Sequence, residues 1–138
     1  MRLYLALPNE PVIEGYEFVR YTPFNIDLNS VEDNECEEIV AKKLLDRFPI
    51  ENAGQILALV CSKLRIGGEL KLTGLSAISF ADELRRGYTN TKPISQILAE
   101  TNSIHDRQQI IEGLRGYGMD ILTVNVNGIE YEITARRQ

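Results

Sequence analysis

Hydrophobic positions follow two different periods along the chain and predict alternating strands and helices. Residues 3–7 form a short apolar run closed by Pro8, which is typical of a buried strand. Aromatic and β-branched residues at 16–19, introduced by Gly15, predict a second strand. Residues 70–73 alternate between apolar and polar side chains and predict a further strand that ends before Gly74.

Helical spacing appears in the middle of the chain. One predicted helix has its apolar face at Ala53, Ile56, Leu57, Val60, Cys61 and Leu64. Gly67 and Gly68 are expected to terminate it. A short helix is predicted at 80–86, a second begins at Thr91 and Pro93, and a third is capped by Ser103 and Asp106.

The last part of the chain predicts a β-hairpin. Residues 121–126 and 129–133 are apolar and β-rich, and they flank Asn127-Gly128, the dipeptide that favours a type I′ turn. Helices that lie between strands, followed by an antiparallel hairpin, indicate an α/β sheet with mixed edges.

Residues 30–48 have two interpretations. Ser30 and Asp33 suit a helix start, and acidic residues followed by Lys42, Lys43 and Arg47 suit the charge order of a helix. The compact apolar run at 39–41 suits a buried strand equally well.

Composition narrows the function classes. A chain of 138 residues with 43% hydrophobic and 25% charged residues predicts one globular domain over 1–138. The net charge of −5 makes nucleic acid an unexpected partner. No segment has the length of a membrane span, and we expect a cytoplasmic protein, of a bacterium or of a virus-infected host cell. Cys36 and Cys61 are expected to be reduced thiols.

Several short motifs follow one another in the order found in a known family. The segment 63–70, KLRIGGEL, resembles the R-x-L-K-P-G-G-x-L motif of class I S-adenosylmethionine-dependent methyltransferases. The segment 15–19 resembles their G-Y-x-N-V-D strand, and Asp27-Leu28 their following D-L step. Residues 34–48 are similar to D-N-S-V-D-E-I-x-x-x-H-V-L-E-H-F, and 116–119 to the G-F approach to the last two strands.

This resemblance, which covers about residues 1 to 136, implies a fold and a position for the site. The fold class is α/β, a Rossmann-like methyltransferase fold with a mostly parallel sheet, helices on both faces and a C-terminal antiparallel hairpin. It makes 38–41 the central strand and 44–48 a short helical turn. The cofactor would lie at the carboxyl ends of the first strands.

The chain departs from the family pattern in four features. The turn after the first strand is glycine-rich in the family, whereas residues 5–11 contain no glycine and two prolines, which lack a backbone donor. The stretch up to the second strand is too short for the family's first helix. Arg20 stands where an acidic residue accepts hydrogen bonds from the ribose, and a guanidinium accepts none. Arg47 stands where the family has histidine.

The remaining candidate residues follow from the resemblance. Asp27 and Leu28 would lie near the adenine, and Asp46 is the candidate catalytic residue. A solvated carboxylate beside a loop or helix end is the simpler interpretation of both acids. No metal site is expected, because the acidic residues from Glu32 to Glu38 lack the ligand spacing of a calcium loop. His105, the single histidine, is expected to be an exposed side chain near a helix cap rather than a general base.

Two functions are therefore compatible with the sequence. The first is a degenerate, non-catalytic methyltransferase-like domain, a pseudoenzyme that binds a protein partner or associates with itself. The second is a divergent methyltransferase that uses S-adenosylmethionine on an unknown acceptor. The expected cofactor is accordingly none, or weakly bound S-adenosylmethionine. Fold alone does not choose between the two functions.

Overall fold

A six-stranded sheet and four helices make up residues 1–11, 13–87 and 93–138, which the computed structural model describes. The strands are β1 (Arg2–Ala6), β2 (Glu17–Arg20), β3 (Cys36–Lys42), β4 (Leu64–Leu75), β5 (Met119–Asn127) and β6 (Glu130–Arg137). The helices are α1 (Ala53–Lys63), α2 (Ala77–Arg85), α3 (Ile94–Glu100) and α4 (Arg107–Gly116). Two short 3-10 turns, Leu45–Arg47 and Ile50–Asn52, lie between β3 and α1.

The sheet has the strand order β2-β1-β3-β4-β6-β5. Its first four strands are parallel, and β6 pairs antiparallel with both β4 and β5. The ambiguous stretch therefore contains a strand followed by a helical turn, as the resemblance implied. The predicted C-terminal hairpin is also present, with Gly128 at φ 64° in its turn. The α/β fold class with a mostly parallel sheet is confirmed.

The main core lies between one face of the sheet and two helices. Alternate strand residues point to this face, among them Leu3, Leu5, Ile39, Ala41, Leu70 and Leu72. Residues of α1 and α4 spaced by three or four positions complete the core: Ile56, Leu57, Val60, Ile110, Ile111 and Leu114. Both cysteines are buried here as free thiols, as expected.

The opposite face of the sheet carries charged residues in register. Arg2, Glu38, Glu69 and Arg136 are register partners across four strands of this face. Its hydrophobic cluster consists of Tyr4, Ala6 and Val40 with Tyr16 and Phe18, and it includes no helical residue. The connection from β1 to β2 holds no helix among its described residues.

Ion pairs and aromatic rings stabilise the part of this face around Glu38. Glu38 accepts hydrogen bonds from Arg2 Nε at 3.1 Å and Tyr16 Oη at 2.6 Å, and it pairs with Lys71 Nζ at 3.1 Å. Burial acts to raise the pKa of Glu38, but these three donors outweigh it and the pKa is lowered. The carboxylate is therefore a charged centre that links three strands and the loop before β2.

The strand β4 begins earlier than the sequence predicted. We expected Gly67 and Gly68 to terminate a helix, but α1 ends at Lys63 and β4 already pairs through Leu64 with Cys36. The two glycines lie inside the strand, where the register shifts. Gly68 is required there, because a Cβ would come within 2.7 Å of the Cys36 carbonyl oxygen.

The two shorter helices lie at the end of β4. Leu75 and Ile129 pack with Phe80 of α2 and Ile97 of α3 in a small separate cluster. Ser76 caps α2 by accepting a hydrogen bond from Ser79 N, and the helix starts three residues before the predicted Phe80. The predicted start at Thr91 lies outside the described residues. No described helix is both long and apolar enough to span a membrane.

Candidate functional site

A cavity of about 790 Å³ opens at the carboxyl ends of the parallel strands. It is bordered by Leu7 after β1, Lys43 after β3, Leu75 at the end of β4 and Ile129 in the β5–β6 turn. This is the edge of an open α/β sheet at which ligands bind. Its volume is within the range of small-molecule sites.

Asp46 is a buried carboxylate in the wall of this cavity. The residue is 2% exposed, and its Oδ2 accepts a hydrogen bond from Leu75 N at 2.6 Å. Its Oδ1 is buried without a hydrogen-bond partner. Burial raises the pKa of Asp46 to about 7, although the bond from Leu75 N opposes the shift. The carboxyl can therefore exchange a proton near neutral pH.

The backbone of Asp46 is held as firmly as its side chain. Its carbonyl oxygen accepts hydrogen bonds from Asn102 N at 2.7 Å and Ser103 N at 3.1 Å. These bonds connect the 3-10 turn after β3 to the segment before α4. The interpretation of Asp46 as a solvated carboxylate is therefore wrong, because long-range backbone contacts bury it.

The cations that line the cavity already have carboxylate partners. Lys43 Nζ lies 3.1 Å from Glu130 Oε1, and Arg47 Nη1 lies 3.0 Å from Glu10 Oε1. Arg47 Nη1 also donates to Tyr21 Oη at 2.6 Å. Burial opposes the charge of Arg47, but Tyr21 and Glu10 more than compensate and raise its pKa. The cavity thus contains two neutralised cations beside Asp46.

A closed turn occupies the position after β1. Glu10 N donates to Leu7 O at 3.1 Å, and Leu7 N donates to Glu10 Oε1 at 2.9 Å. Pro8 and Pro11 have no backbone N–H. Most amides of this turn are therefore used inside it or do not exist.

Arg20 fastens this turn from the end of β2. Its Nη1 donates to Leu7 O at 2.7 Å and to Glu10 O at 2.9 Å. A side chain that only donates, and that already binds its own chain, offers no acceptor for ribose hydroxyls. The residues at the ends of β1 and β2 therefore do not fit the nucleoside and methionine parts of S-adenosylmethionine.

The other residues predicted from the resemblance lie apart from the cavity. Asp27 is exposed and accepts a hydrogen bond from Asn29 N at 2.9 Å within a local turn. Leu28 is 2% exposed and belongs to the main core. The geometry brings Asp46 and Arg47 to the cavity but does not bring Asp27 and Leu28 there. Cofactor binding by Asp27 and Leu28 stays a prediction.

His105 is buried, contrary to the expectation of an exposed side chain. It is 6% exposed, and its Nε2 lies 2.7 Å from Ser103 Oγ. Burial lowers the pKa of His105, opposed by its hydrogen bond to the Leu45 carbonyl. Asp106 caps α4 as predicted, but Ser103 instead donates to carbonyl oxygens of the 45–48 segment.

Lys43 also belongs to the site, although the sequence pattern did not predict it. The residue has φ 56°, a left-handed conformation that is uncommon for a lysine. Its amide donates to Thr73 O at 2.9 Å, which holds the bend that directs the chain from β3 into the 3-10 turn. Its place directly after the central strand was the only signal available. Among the described residues, no group of three or more His, Cys, Asp or Glu could hold a metal ion.

Comparisons with known proteins give a match in structure alone. No protein-family model matches the chain, and no curated protein matches its sequence. A solved S-adenosylmethionine-dependent methyltransferase from Mesorhizobium loti is similar, with a TM-score of 0.67 and 14% identity over 98% of this chain and 79% of that one.

Two further solved structures share the fold. An O-methyltransferase family protein from Burkholderia thailandensis has a TM-score of 0.62 and 16% identity over 89% of this chain. A cyclase, SpnF, has a TM-score of 0.58 and 14% identity over 88% of this chain. The chain spans 36% of the first and 56% of the second. Likeness at this identity shows a methyltransferase-like, Rossmann-like fold and nothing finer.

Proposed function

We propose that this chain is a non-catalytic methyltransferase-like domain that acts as a protein-binding or assembly module. The observation that carries the proposal is the closed turn after β1. A cofactor in this fold needs backbone donors at that turn, and here Leu7 N and Glu10 N are bonded within the turn. The adjacent Pro8 and Pro11 supply none.

Arg20, at the end of β2, is a second observation that supports the same proposal. Arg20 replaces the acceptor that the ribose hydroxyls need, and its contacts with Leu7 O and Glu10 O hold the turn closed. Opening the turn for a ligand would break these bonds and leave a guanidinium facing it. Arg20 and the closed turn after β1 therefore both disfavour binding of the cofactor.

The fold itself does not require methyl transfer. One of the similar solved structures is described as a cyclase. The chemistry of a fold resides in its site residues. A catalytic alternative, a divergent S-adenosylmethionine-dependent methyltransferase with an unknown acceptor, rests on Asp46, whose buried carboxyl could remove a proton from an acceptor.

Calorimetric titration with S-adenosylmethionine and S-adenosylhomocysteine separates these functions. We expect no heat and no thermal stabilisation of the chain by either compound up to about 1 mM. The Arg20→Asp variant, which restores the acidic residue, should also fail to bind because the turn still lacks donors. Micromolar affinity of the parent chain overturns the proposal. Binding by the Arg20→Asp variant but not by the parent chain would show that Arg20, and not the lack of donors in the turn, prevents binding.

An assembly role needs a surface, and the outer edge of β5 offers one. No described strand pairs with that edge, and residues 121–127 carry no charge. Leu122, Val124 and Val126 are 36%, 38% and 41% exposed. An open, uncharged strand with exposed apolar side chains favours pairing with another strand. A second copy of this chain, joined antiparallel through β5, would bury these residues.

Sedimentation velocity over a range of concentrations tests the assembly role. We expect a monomer–dimer equilibrium at micromolar concentration that the double substitution Val124→Lys with Val126→Lys shifts to monomer. The matched control is Ile78→Lys, an exposed apolar residue of α2 that lies away from β5. A parent chain that stays monomeric at about 100 μM contradicts assembly through this edge.

A further inference from the structure

We propose that two copies of this chain join antiparallel through β5 in one register, in which Val124 of each copy lies opposite Val124 of the other. The two six-stranded sheets would then form one continuous sheet across a two-fold axis at Val124. The inference rests on the proposed assembly role, because it states which residues of the two copies meet.

The first step is the uncharged run 121–127, which has Val124 at its midpoint. In an antiparallel pair of identical strands, positions equally far from the axis lie opposite each other. With Val124 on the axis, the whole uncharged run pairs with its own copy. Leu122 then lies opposite Val126, and Thr123 lies opposite Asn125.

The second step is the face on which the apolar side chains of β5 lie. Val124 and Val126 pair with Ile133 and Tyr131 of β6, which belong to the main core. The two valines therefore share the core face of the sheet, and no described strand lies beside them on the outer edge. A change of register by one residue would place Val124 opposite a residue of the other face. Such registers are therefore disfavoured.

The third step compares the registers two residues away, which keep the valines on one face. One of them places Asp120 opposite Val126 and sets a carboxylate against an apolar side chain. The other pairs only residues 123–127 and leaves Leu122 opposite Gly128 of the turn. Leu122 is skipped in the pairing of β5 with β6, so the second copy supplies a strand neighbour for it. The register with Val124 on the axis therefore pairs the most apolar residues without setting a charge against them.

Cysteine substitutions along β5 test the register, because a disulfide requires Cα atoms about 4.4–6.8 Å apart. Val124→Cys should give a disulfide-linked dimer under mild oxidation, since the two copies of this position lie about 4.5–5.5 Å apart. Thr123→Cys and Asn125→Cys are matched controls at exposed neighbouring positions. Each of these positions would lie about 8 Å from its own copy, beyond the range of a disulfide.

The native thiols should give little background in this experiment. Cys36 and Cys61 are buried, and burial raises the pKa of both thiols, to about 11 for Cys61. The parent chain, oxidised in the same way, should therefore remain unlinked.

Charge substitutions test the position of the axis without cysteine. Val124→Lys opposes two ammonium groups and Val124→Glu two carboxylates, so each variant alone should dimerise at least about tenfold more weakly than the parent. An equimolar mixture of the two variants should dimerise again, because an ammonium group then opposes a carboxylate. Val126→Lys and Val126→Glu are the matched controls, and their mixture should show no such recovery because each faces Leu122.

The outcomes separate the register from the assembly role. Stronger linking by Thr123→Cys or Asn125→Cys than by Val124→Cys overturns the register and leaves the assembly role intact. A parent chain that dimerises while none of the three variants links shows that the second copy binds elsewhere, and the inference is then wrong. A parent chain that stays monomeric in sedimentation also overturns it, and a strand of another protein becomes the expected occupant of β5. The S-adenosylmethionine titration is independent of these results and alone decides whether the domain is non-catalytic.

Discussion

The Asp46→Asn variant is expected to be more stable than the parent chain at pH 8, by about 2 kcal/mol. The folded chain holds the Asp46 carboxyl at a pKa of about 7, against an ordinary value of 3.8. Between these values the folded state retains a proton that the unfolded chain has lost, so stability falls as pH rises. The total loss is about 4 kcal/mol and is complete above pH 7.

An asparagine at position 46 does not titrate, so it removes the pH dependence of stability. It does not remove the whole cost of burying a polar group at this position. Its oxygen can accept the hydrogen bond from Leu75 N, while its NH₂ takes the place of the unpartnered oxygen at a cost of about 1–3 kcal/mol. We therefore expect the two chains to differ by less than about 1 kcal/mol at pH 5 and to separate as pH rises.

Urea unfolding at several pH values between 5 and 8.5 measures this difference. Asp27→Asn is the matched control, because its carboxyl is exposed and its effect should not change with pH. A difference between Asp46→Asn and the parent that is constant across this range would mean that the folded carboxyl is already ionised at pH 5.

The second large effect is expected from Gly74→Ala, which should destabilise the chain by about 3 kcal/mol. A Cβ at this position would come within 2.5 Å of Tyr131 Cζ and would also overlap its hydroxyl oxygen. Tyr131 is 0% exposed, and its partners on β4 hold it in register opposite Gly74. The ring therefore cannot move aside without disturbing the core.

Thermal and urea unfolding of matched variants separate this clash from a general effect of alanine. Gly116→Ala, at the end of α4 and with open space around it, should leave stability unchanged or raise it by up to about 1 kcal/mol. Combining Gly74→Ala with Tyr131→Leu should cost less than the sum of the two single changes. Additive losses would show that Tyr131 is not what the new methyl group meets.

Local patterns predicted the elements that short-range physics controls. The hairpin was readable because Asn127-Gly128 needs positive φ, which Gly128 adopts at 64°. Helix α1 was readable from its apolar spacing. For 36–42 the charge order favoured a helix, yet the apolar run at 39–41 is central to the sheet and pairs on both sides. Burial therefore outweighed the preference of the charged residues.

The site was less predictable because distant segments create its properties. Asp46 is buried by bonds to Leu75, Asn102 and Ser103, which lie 29 or more positions away in sequence. His105 is buried for the same reason, through contacts with the 45–48 segment. The charged face has a similar origin, since Arg2, Glu38 and Lys71 meet only when three strands align.

The closed turn after β1 also limits how this chain could change its ligand. Glu10 serves three contacts at once, with Leu7, Arg20 and Arg47. The contacts with Leu7 and Arg47 are made by the Glu10 carboxylate and the contact with Arg20 by its backbone carbonyl, and a substitution of Arg20 leaves the prolines in place. A substitution of Glu10 frees the Leu7 amide as a donor, but it also removes the carboxylate partner of Arg47. The donors of the turn and the charge of Arg47 are therefore coupled through Glu10, and a change of ligand at this turn would affect both.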